Sequence, residues 1–230
     1  MCPKEKIAVI GIGGTNGVDL KACDAFNHEE TRKTIREQYK IPQDAFVYGY
    51  VGRLNKDKGI NELVEAYEQI EKNNPNAYLM LVGEKDNANP ISLENESKIA
   101  ENDKIIATGG VPGAEVYPYM SAFDVLVHPT YREGYGKVLQ EAMGMRIPIV
   151  TTNVIGPCEV VEGGKYGVLV EVKDSISLAQ GMVEIAENEE LRKTLIKKGR
   201  ERAEQYYDRP IMVNNTLQEI NKIMQVGNSK

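Results

Sequence analysis

The stretch Pro129–Pro148, PTYREGYGKVLQEAMGMRIP, decides how this chain folds. The apolar run Val125-Leu126-Val127 enters it as a short strand, and Thr130 to Glu133 form a polar turn. Gly134 and Gly136 then open a helix whose apolar face is Val138, Leu139, Ala142 and Met143. Strand, glycine turn and helix in that order offer backbone N–H groups to a phosphate. Glu133 stands just before the helix and Glu141 eight positions later within it. At about 1.5 Å rise per residue the two carboxylates are roughly 12 Å apart along the axis. Gly134 and Glu141, seven apart, fall on nearly the same helix face. A diphosphate at the helix start therefore has one carboxylate at its sugar end and one further along, which is a site for a nucleotide-sugar. Without a ligand, Glu133 is a first-turn glutamate favoured by the helix dipole, and Glu141 is an i,i+4 partner of Lys137.

Outward from this stretch, strands alternate with helices. Lys6–Ile10 reads as a strand, followed by the glycine-rich loop Gly11–Gly17 and an irregular segment through Asp24. Glu29–Tyr39 is a helix stopped by Pro42; Ala45–Val51 is a buried strand; Ile60, Leu63, Val64, Tyr67 and Ile70 line one helix face. Tyr78–Val82 and Lys104–Ala107 are strands on either side of a helix from Pro90 to about Glu101. Glu115–Ala122 is a short helix, Asp124–Val127 and Ile147–Val150 are strands, Asn153–Cys158 a loop, and Gly167–Val170 the last strand. From Ser175 onward the chain is helical, with breaks near Asn188 and at Asp208-Arg209-Pro210. Such alternation predicts one α/β domain over residues 1–230, Rossmann-like, with roughly six parallel strands and helices on both faces.

A second motif, Gly52-Arg53-Leu54-Asn55-Lys56-Asp57-Lys58-Gly59, joins a strand end to a helix start, where ligands collect in open α/β sheets. Arg53 can fork two diphosphate oxygens and Lys58 can act as a point charge. In a ligand-free reading the same residues are a solvated helix start with Asp57 as its cap.

The segment EGYGKVLQE, with its two glutamates separated by seven residues and preceded by an apolar strand and His-Pro-Thr, resembles the E-x7-E motif of the family 4 retaining glycosyltransferases of GT-B fold. The resemblance runs from Lys6 to about Ile223 and covers only the second, donor-binding domain of that architecture. The Asn16-Gly17-Val18-Asp19 stretch matches the family's start of that domain. It implies that residues 210–226 form a helix crossing to a missing N-terminal acceptor domain, with Ile211, Met212, Leu217 and Ile220 partly exposed. It further implies that Arg53 and Lys58 hold and stabilise the leaving diphosphate. Glu133 contacts the donor sugar beside Gly134, Tyr135 and Gly136, and Glu141 takes the ribose hydroxyls. The base seats near Gly109 and Val111 in Thr-Gly-Gly-Val. The expected donor is a UDP-sugar, uridine being the commonest base in the family, with no metal required. Gly156-Pro157-Cys158-Glu159 resembles a variant found in capsule and oligosaccharide transferases, so the expected acceptor is a glycan or lipid-linked glycan in bacterial polysaccharide assembly. Glu159 is either a ribose or sugar contact or a first-turn glutamate. His128 is read first as a buried, satisfied histidine and second as lining the site. Tyr131, Tyr135 and Tyr166 can pack on sugar or base, or within the protein. A stand-alone nucleotide-diphosphate-binding module without chemistry uses the same residues, and turnover with a supplied acceptor domain separates the two.

Composition limits the alternatives. The 230 residues, 41% hydrophobic and 27% charged, suffice for a sizeable core in a soluble protein. The net charge of −6, without Lys/Arg blocks, argues against nucleic acid. No apolar run approaches about 18 residues, the N-terminus does not read as a signal peptide, and three scattered cysteines fit a reduced cytoplasm. With only His28 and His128, a histidine-rich metal site is excluded. The loop after the first strand misses the dinucleotide fingerprint, its third glycine position being Asn16. Gly163-Gly164-Lys165 continues with Tyr166 rather than the Ser or Thr of a phosphate loop, and no Ser/His/Asp arrangement is present.

Overall fold

The structure, a computed structural model, describes residues 7, 9–13, 16–26 and 29–227. Six strands, β1 (Phe46–Val51), β2 (Ala77–Val82), β3 (Ile105–Gly109), β4 (Val125–His128), β5 (Ile149–Thr152) and β6 (Val168–Val170), form one sheet. Every pairing is parallel and the order is β3-β2-β1-β4-β5-β6. The central strands are continuous apolar runs because both faces are covered. Helices α1 (Leu20–Phe26), α2 (Glu29–Gln38), α5 (Val116–Met120), α6 (Lys137–Gly144) and α7 (Ile155–Val160) pack one face, through residues such as Cys23, Ile35, Met120, Leu139 and Val160. Helices α3 (Ile60–Glu71), α4 (Leu93–Glu101), α8 (Ser175–Glu187) and α9 (Glu189–Arg202) cover the other through Leu63, Ile99, Met182 and Leu195. A wider helical turn, Ala203–Tyr207, leads into α10 (Arg209–Gly227).

Strand order reverses between β1 and β4, and the helices that follow these two strands, α3 and α6, lie on opposite faces of the sheet. Their loops diverge at the carboxyl edge and leave a crevice there. The opposite edge is held by Arg36, fully buried on α2. Its guanidinium donates to the carbonyls of Ala45 (2.8 Å) and Ala122 (2.8 Å) and to Asp124 Oδ2 (2.8 Å). That oxygen also accepts the Val47 N–H at 2.7 Å, tying β1 to the start of β4. Nothing in the periodicity of α2 marks Arg36 as buried.

Several elements differ from the sequence expectation. Of the strand expected over Lys6–Ile10, Ile7, Val9 and Ile10 are not in a strand, and Lys6 and Ala8 lie outside the described residues. The irregular segment holds α1, capped where Asp19 Oδ1 accepts the Ala22 N–H at 3.0 Å. Helix α4 begins at Leu93 rather than Pro90 because the Ser92 hydroxyl caps it. The 115–122 helix is α5 alone, preceded by a tight turn, Gly113–Glu115. The loop over Asn153–Cys158 is largely α7; Pro157 is tolerated because first-turn N–H groups have no helical partner. Helix α6 starts at Lys137 with Gly136 at φ +77° as its cap, so Gly134 stands outside the helix and does not share a face with Glu141.

Candidate functional site

Two loops meet at the crevice. The loop after β1 turns at Gly52 and forms a short helical turn, Lys56–Lys58, capped by Asn55, whose Oδ1 accepts the Lys58 N–H at 2.9 Å. Asn55 rather than Asp57 is therefore the cap. The loop after β4 carries Pro129 to Gly136. Gly59 lets them touch: at φ +71° its absent Cβ would lie 2.0 Å from the Pro129 carbonyl oxygen. The Asp57 carbonyl accepts the Tyr131 N–H at 2.8 Å and the Thr130 hydroxyl at 3.3 Å. From the other side α7 presses in, since a Cβ on Gly156 would sit 2.6 Å from the carbonyl oxygens of both Glu133 and Gly134. The Glu133–Gly134 turn is thus fixed by neighbours the sequence places far away.

Charge pairs line this junction. Lys58 Nζ lies 2.5 Å from Glu133 Oε2, and Gly134 N–H donates to Glu133 Oε1 at 3.0 Å. The neighbouring His128 ring and the Lys58 ammonium hold the Glu133 carboxyl far below its usual range, at about 2, against the opposing effect of burial. His128 Nε2 is 3.6 Å from the same oxygen, too far for a hydrogen bond. Burial keeps the imidazole of His128 neutral near pH 7. Arg53, 70% exposed, pairs with Asp86 at 2.9 Å, and Asp86 also accepts from buried Asn55 at 3.0 Å. Arg132 pairs with Asp57 at 2.5 Å.

A cleft of about 590 Å³ opens between Arg53, Asn55, Lys58, Asp86, Asn89 and Arg132. A second, of about 400 Å³, shares Arg53 and runs past Gly52, Gly83, Glu84, Gly110 and Val111. Its floor is bare backbone: a Cβ on Gly83 would meet the Gly52 carbonyl oxygen at 1.8 Å. The first cleft is charged and the second mostly apolar. The pair offers cations for an anion beside apolar surface for a group attached to it.

Arg53, Lys58, Glu133 and Gly134 converge, with Gly134 exposed. Gly109, at φ +77°, is exposed at the end of β3, and Val111 lines the apolar cleft. Glu141 is 9% exposed, with Lys137 Nζ at 3.1 Å and the Tyr117 hydroxyl donating to it at 3.4 Å, so it is occupied within the protein. Tyr135 is half-buried and donates to the Ile12 carbonyl at 2.7 Å, packing against Gly13. Tyr131 donates to Glu62 at 2.5 Å, and Tyr166 faces the Arg202 guanidinium. All three tyrosines are engaged by protein. Glu159 is exposed on α7 and lines neither cleft. His128 is buried as expected, but neither ring nitrogen has a hydrogen-bond partner among the described residues, so it is not satisfied. Asn55, Asp86 and Arg132 were not read as site residues, although Asn55 lies within the Gly52–Gly59 motif and Arg132 within the Thr130–Glu133 turn; Gly156 was quoted only as part of Gly156-Pro157-Cys158-Glu159.

Among the described residues no helix is long and apolar enough to cross a membrane, and no three His, Cys, Asp or Glu are grouped to hold a metal.

Residues 31–202 match the family model described as glycosyl transferases group 1. The chain is 33% identical over 220 residues to the capsular polysaccharide biosynthesis glycosyltransferase CapM of Staphylococcus aureus, covering 92% of this chain and 54% of CapM. It thus spans about half the length of the curated relatives it matches. Among solved structures, the C-terminal domain of the group 1 glycosyl transferase LpcC from Francisella tularensis superposes with a TM-score of 0.71 at 26% identity, covering 84% of this chain and 99% of that one. Anabaena Alr3699/HepE, in complex with UDP and glucose, gives a TM-score of 0.75 at 24% identity, covering 90% of this chain and 55% of its own. At that identity the likeness speaks for the fold.

Proposed function

The chain belongs to the glycosyl transferases group 1 family, and on that premise we propose that it is the nucleotide-sugar-binding half of a retaining, family 4 glycosyltransferase. The observation that carries the proposal is the meeting of the loops after β1 and β4, which sets Lys58 against Glu133 at the switch point of the sheet. In this reading Arg53 forks the diphosphate oxygens, Lys58 leaves Glu133 for the same anion, and Glu133 faces the donor sugar beside Gly134. The Gly136 N–H and the start of α6 add backbone donors. The nucleoside runs into the apolar cleft beside Gly109 and Val111, and Glu141 reaches the ribose once it exchanges Tyr117 and Lys137 for hydroxyls.

The activity is proposed for a longer assembly. An N-terminal acceptor domain brings the acceptor hydroxyl to the front face of the sugar, and the departing diphosphate is stabilised by Arg53 and Lys58 without a metal; positioning and electrostatics do the work. Helix α10 is the element that crosses to that domain: Val213, Leu217, Ile220 and Ile223 are exposed along it, whereas Met212 is buried. Uridine is the base proposed, since the Anabaena structure of like fold holds UDP. A capsular or related polysaccharide acceptor, assembled in the cytoplasm, is proposed from the name of the staphylococcal relative.

The test is calorimetric titration of UDP into this chain, with GDP, ADP and NAD as controls, repeated for Arg53→Ala and Glu141→Ala. Saturable UDP binding that both substitutions weaken is expected. Binding that neither substitution changes would refute the assignment of the site.

A further inference from the structure

His128 ends β4 directly behind the charged junction, 2% exposed, with both ring nitrogens unpartnered among the described residues. Buried polar groups are ordinarily hydrogen-bonded, and one that is not often marks a partner absent from the state observed. The ring is held in place. Tyr50 of β1 stacks on it with centroids 6.2 Å apart and planes 11° from parallel. The Tyr50 hydroxyl donates to the Arg53 carbonyl at 2.9 Å. Behind the ring, Thr151 Oγ1 donates to the His128 carbonyl at 2.8 Å. Three titratable groups face it: Tyr50 from β1, Lys58 from the turn after β1, and Glu133 from the loop after β4. Tyr50 meets the ring by its face, and the facing carboxylate is Glu133, 3.6 Å from Nε2, whose same oxygen is held by Lys58 at 2.5 Å.

We propose that His128 is a positioning residue whose Nε2–H takes over the Glu133 carboxylate when an anionic ligand draws Lys58 away. The identity of that anion, a nucleoside diphosphate, rests on the reading given above. The geometry of the exchange does not. A shift of several tenths of an ångström converts the 3.6 Å approach into a hydrogen bond. Neutral imidazole has one N–H, and the carboxylate selects the tautomer that carries it on Nε2. The consequence is that Glu133 keeps its charge and aim after losing its ammonium partner. Without the imidazole, a half-buried carboxylate keeps only the Gly134 N–H on Oε1 at the moment the ligand arrives and has nothing on Oε2, and burial then favours its protonated form.

Carboxyl carbon NMR of Glu133 in the nucleotide-free chain tests the exchange, with Lys58→Met imitating the departure of the ammonium. In Lys58→Met the Glu133 titration midpoint stays below the ordinary glutamate value of about 4.3. Adding His128→Phe, which keeps the stack on Tyr50, raises the midpoint by about one to two pH units, the worth of one hydrogen bond to a charged group. Adding His128→Gln instead, whose amide nitrogen can donate, holds it near the Lys58→Met value. An ordinary midpoint in Lys58→Met alone, or no rise on adding His128→Phe, would overturn the proposal. With saturating UDP, the rise is expected in the single His128→Phe variant and not in the unsubstituted protein. If UDP fails to bind the unsubstituted protein, the donor-site reading falls, and the nucleotide-free arm still decides the role of His128.

Discussion

Replacing Gly59 by alanine probes whether the two loops are locked together or merely adjacent. Two costs add. The residue sits at φ +71°, ψ 27°, and an L side chain in the left-handed region costs about 1–2 kcal/mol. The new Cβ would also lie 2.0 Å from the Pro129 oxygen, 2.8 Å from its carbonyl carbon and 3.1 Å from its Cβ. Ordinary non-bonded contact is about 3.5 Å, so the loops must part by about 1.5 Å. Both obstacles at Pro129 nearest the new atom are backbone, so no side-chain rotation relieves them. Parting removes the bonds from Tyr131 N–H and the Thr130 hydroxyl to the Asp57 carbonyl, each worth about 1 kcal/mol. The total is about 3–4 kcal/mol, or roughly 10 °C in Tm for a chain of this size.

Gly109→Ala supplies the control. Gly109 has a similar φ of +77°, but nothing lies within 4 Å of its missing Cβ, so that variant incurs only the conformational cost of about 1–2 kcal/mol. Thermal unfolding followed by circular dichroism gives both values, and UDP calorimetry on Gly59→Ala shows whether the junction still binds. The expected result is a Tm loss about twice that of the control, with weakened UDP binding. Equal Tm losses in the two variants, with UDP affinity retained in Gly59→Ala, would refute the locked junction.

Arg36→Met removes a fully buried cation and takes the donor from the Ala45 and Ala122 carbonyls, while Asp124 keeps Arg32 at 2.6 Å and the Val47 N–H; it should cost about 2–4 kcal/mol in denaturant unfolding, and Arg36→Lys should not restore it, because a single ammonium cannot span the three elements. Glu133 has a depressed carboxyl, at about 2, so its contribution to stability is full above the ordinary carboxyl range and is lost as pH falls from about 4.5 toward 2. Unfolding titrations of the protein and of Glu133→Gln should therefore differ most near neutrality and converge at the acid end of that window. Lys58→Ala should weaken UDP binding about 10- to 100-fold by calorimetry, the range for losing a hydrogen bond to a charged group. Adding EDTA should leave UDP affinity unchanged in the same instrument, since no step of the proposed site uses a metal.

The fold was legible where burial is expressed as pattern. β1, β2 and β4 are apolar runs bounded by glycine or polar turns, and α3 places Ile60, Leu63, Val64, Tyr67 and Ile70 at helical spacing. What pattern does not encode was missed. α1 spans seven residues with only Leu20 and Cys23 buried, too short for a periodic signal. α7 contains Gly156 and Pro157 within a stretch read as a loop, although the glycine is there because Glu133 and Gly134 leave no room for a Cβ. The motifs at Arg53–Lys58 and Glu133–Gly134 were found because strand-end glycines announce them. Their mutual contact was not, because it depends on which strands become neighbours. His128 is the sharpest case. A lone histidine at a strand end carries no sign of whether its nitrogens are paired, and only the positions of Glu133, Lys58 and Tyr50 show that they are not.

The junction is electrically self-contained, and this constrains how a ligand can enter. Arg53, Lys58 and Arg132 are matched by Asp86, Glu133 and Asp57 respectively. Hydrogen bonds to Asn55 and to the Ala88 N–H, with Arg53 nearby, hold the Asp86 carboxyl below its usual range; Arg132 and then Asn89 do the same for Asp57. A diphosphate therefore does not meet bare cations; it competes with carboxylates that are already ionised and hydrogen-bonded. Exposed pairs yield easily, being worth about 0–1 kcal/mol, so Arg132, 83% exposed, and Arg53, 70% exposed, are the cations available first. Lys58, 19% exposed against Glu133 at 25%, yields later and only if Glu133 is offered another partner. The order of exchange follows from exposure: Arg132 and Arg53 meet the anion, Lys58 follows, and His128 receives Glu133. A ligand too short to reach Lys58 would engage the first step alone. Inorganic phosphate should accordingly bind weakly and leave the Glu133 carboxyl resonance unmoved, whereas UDP should shift it.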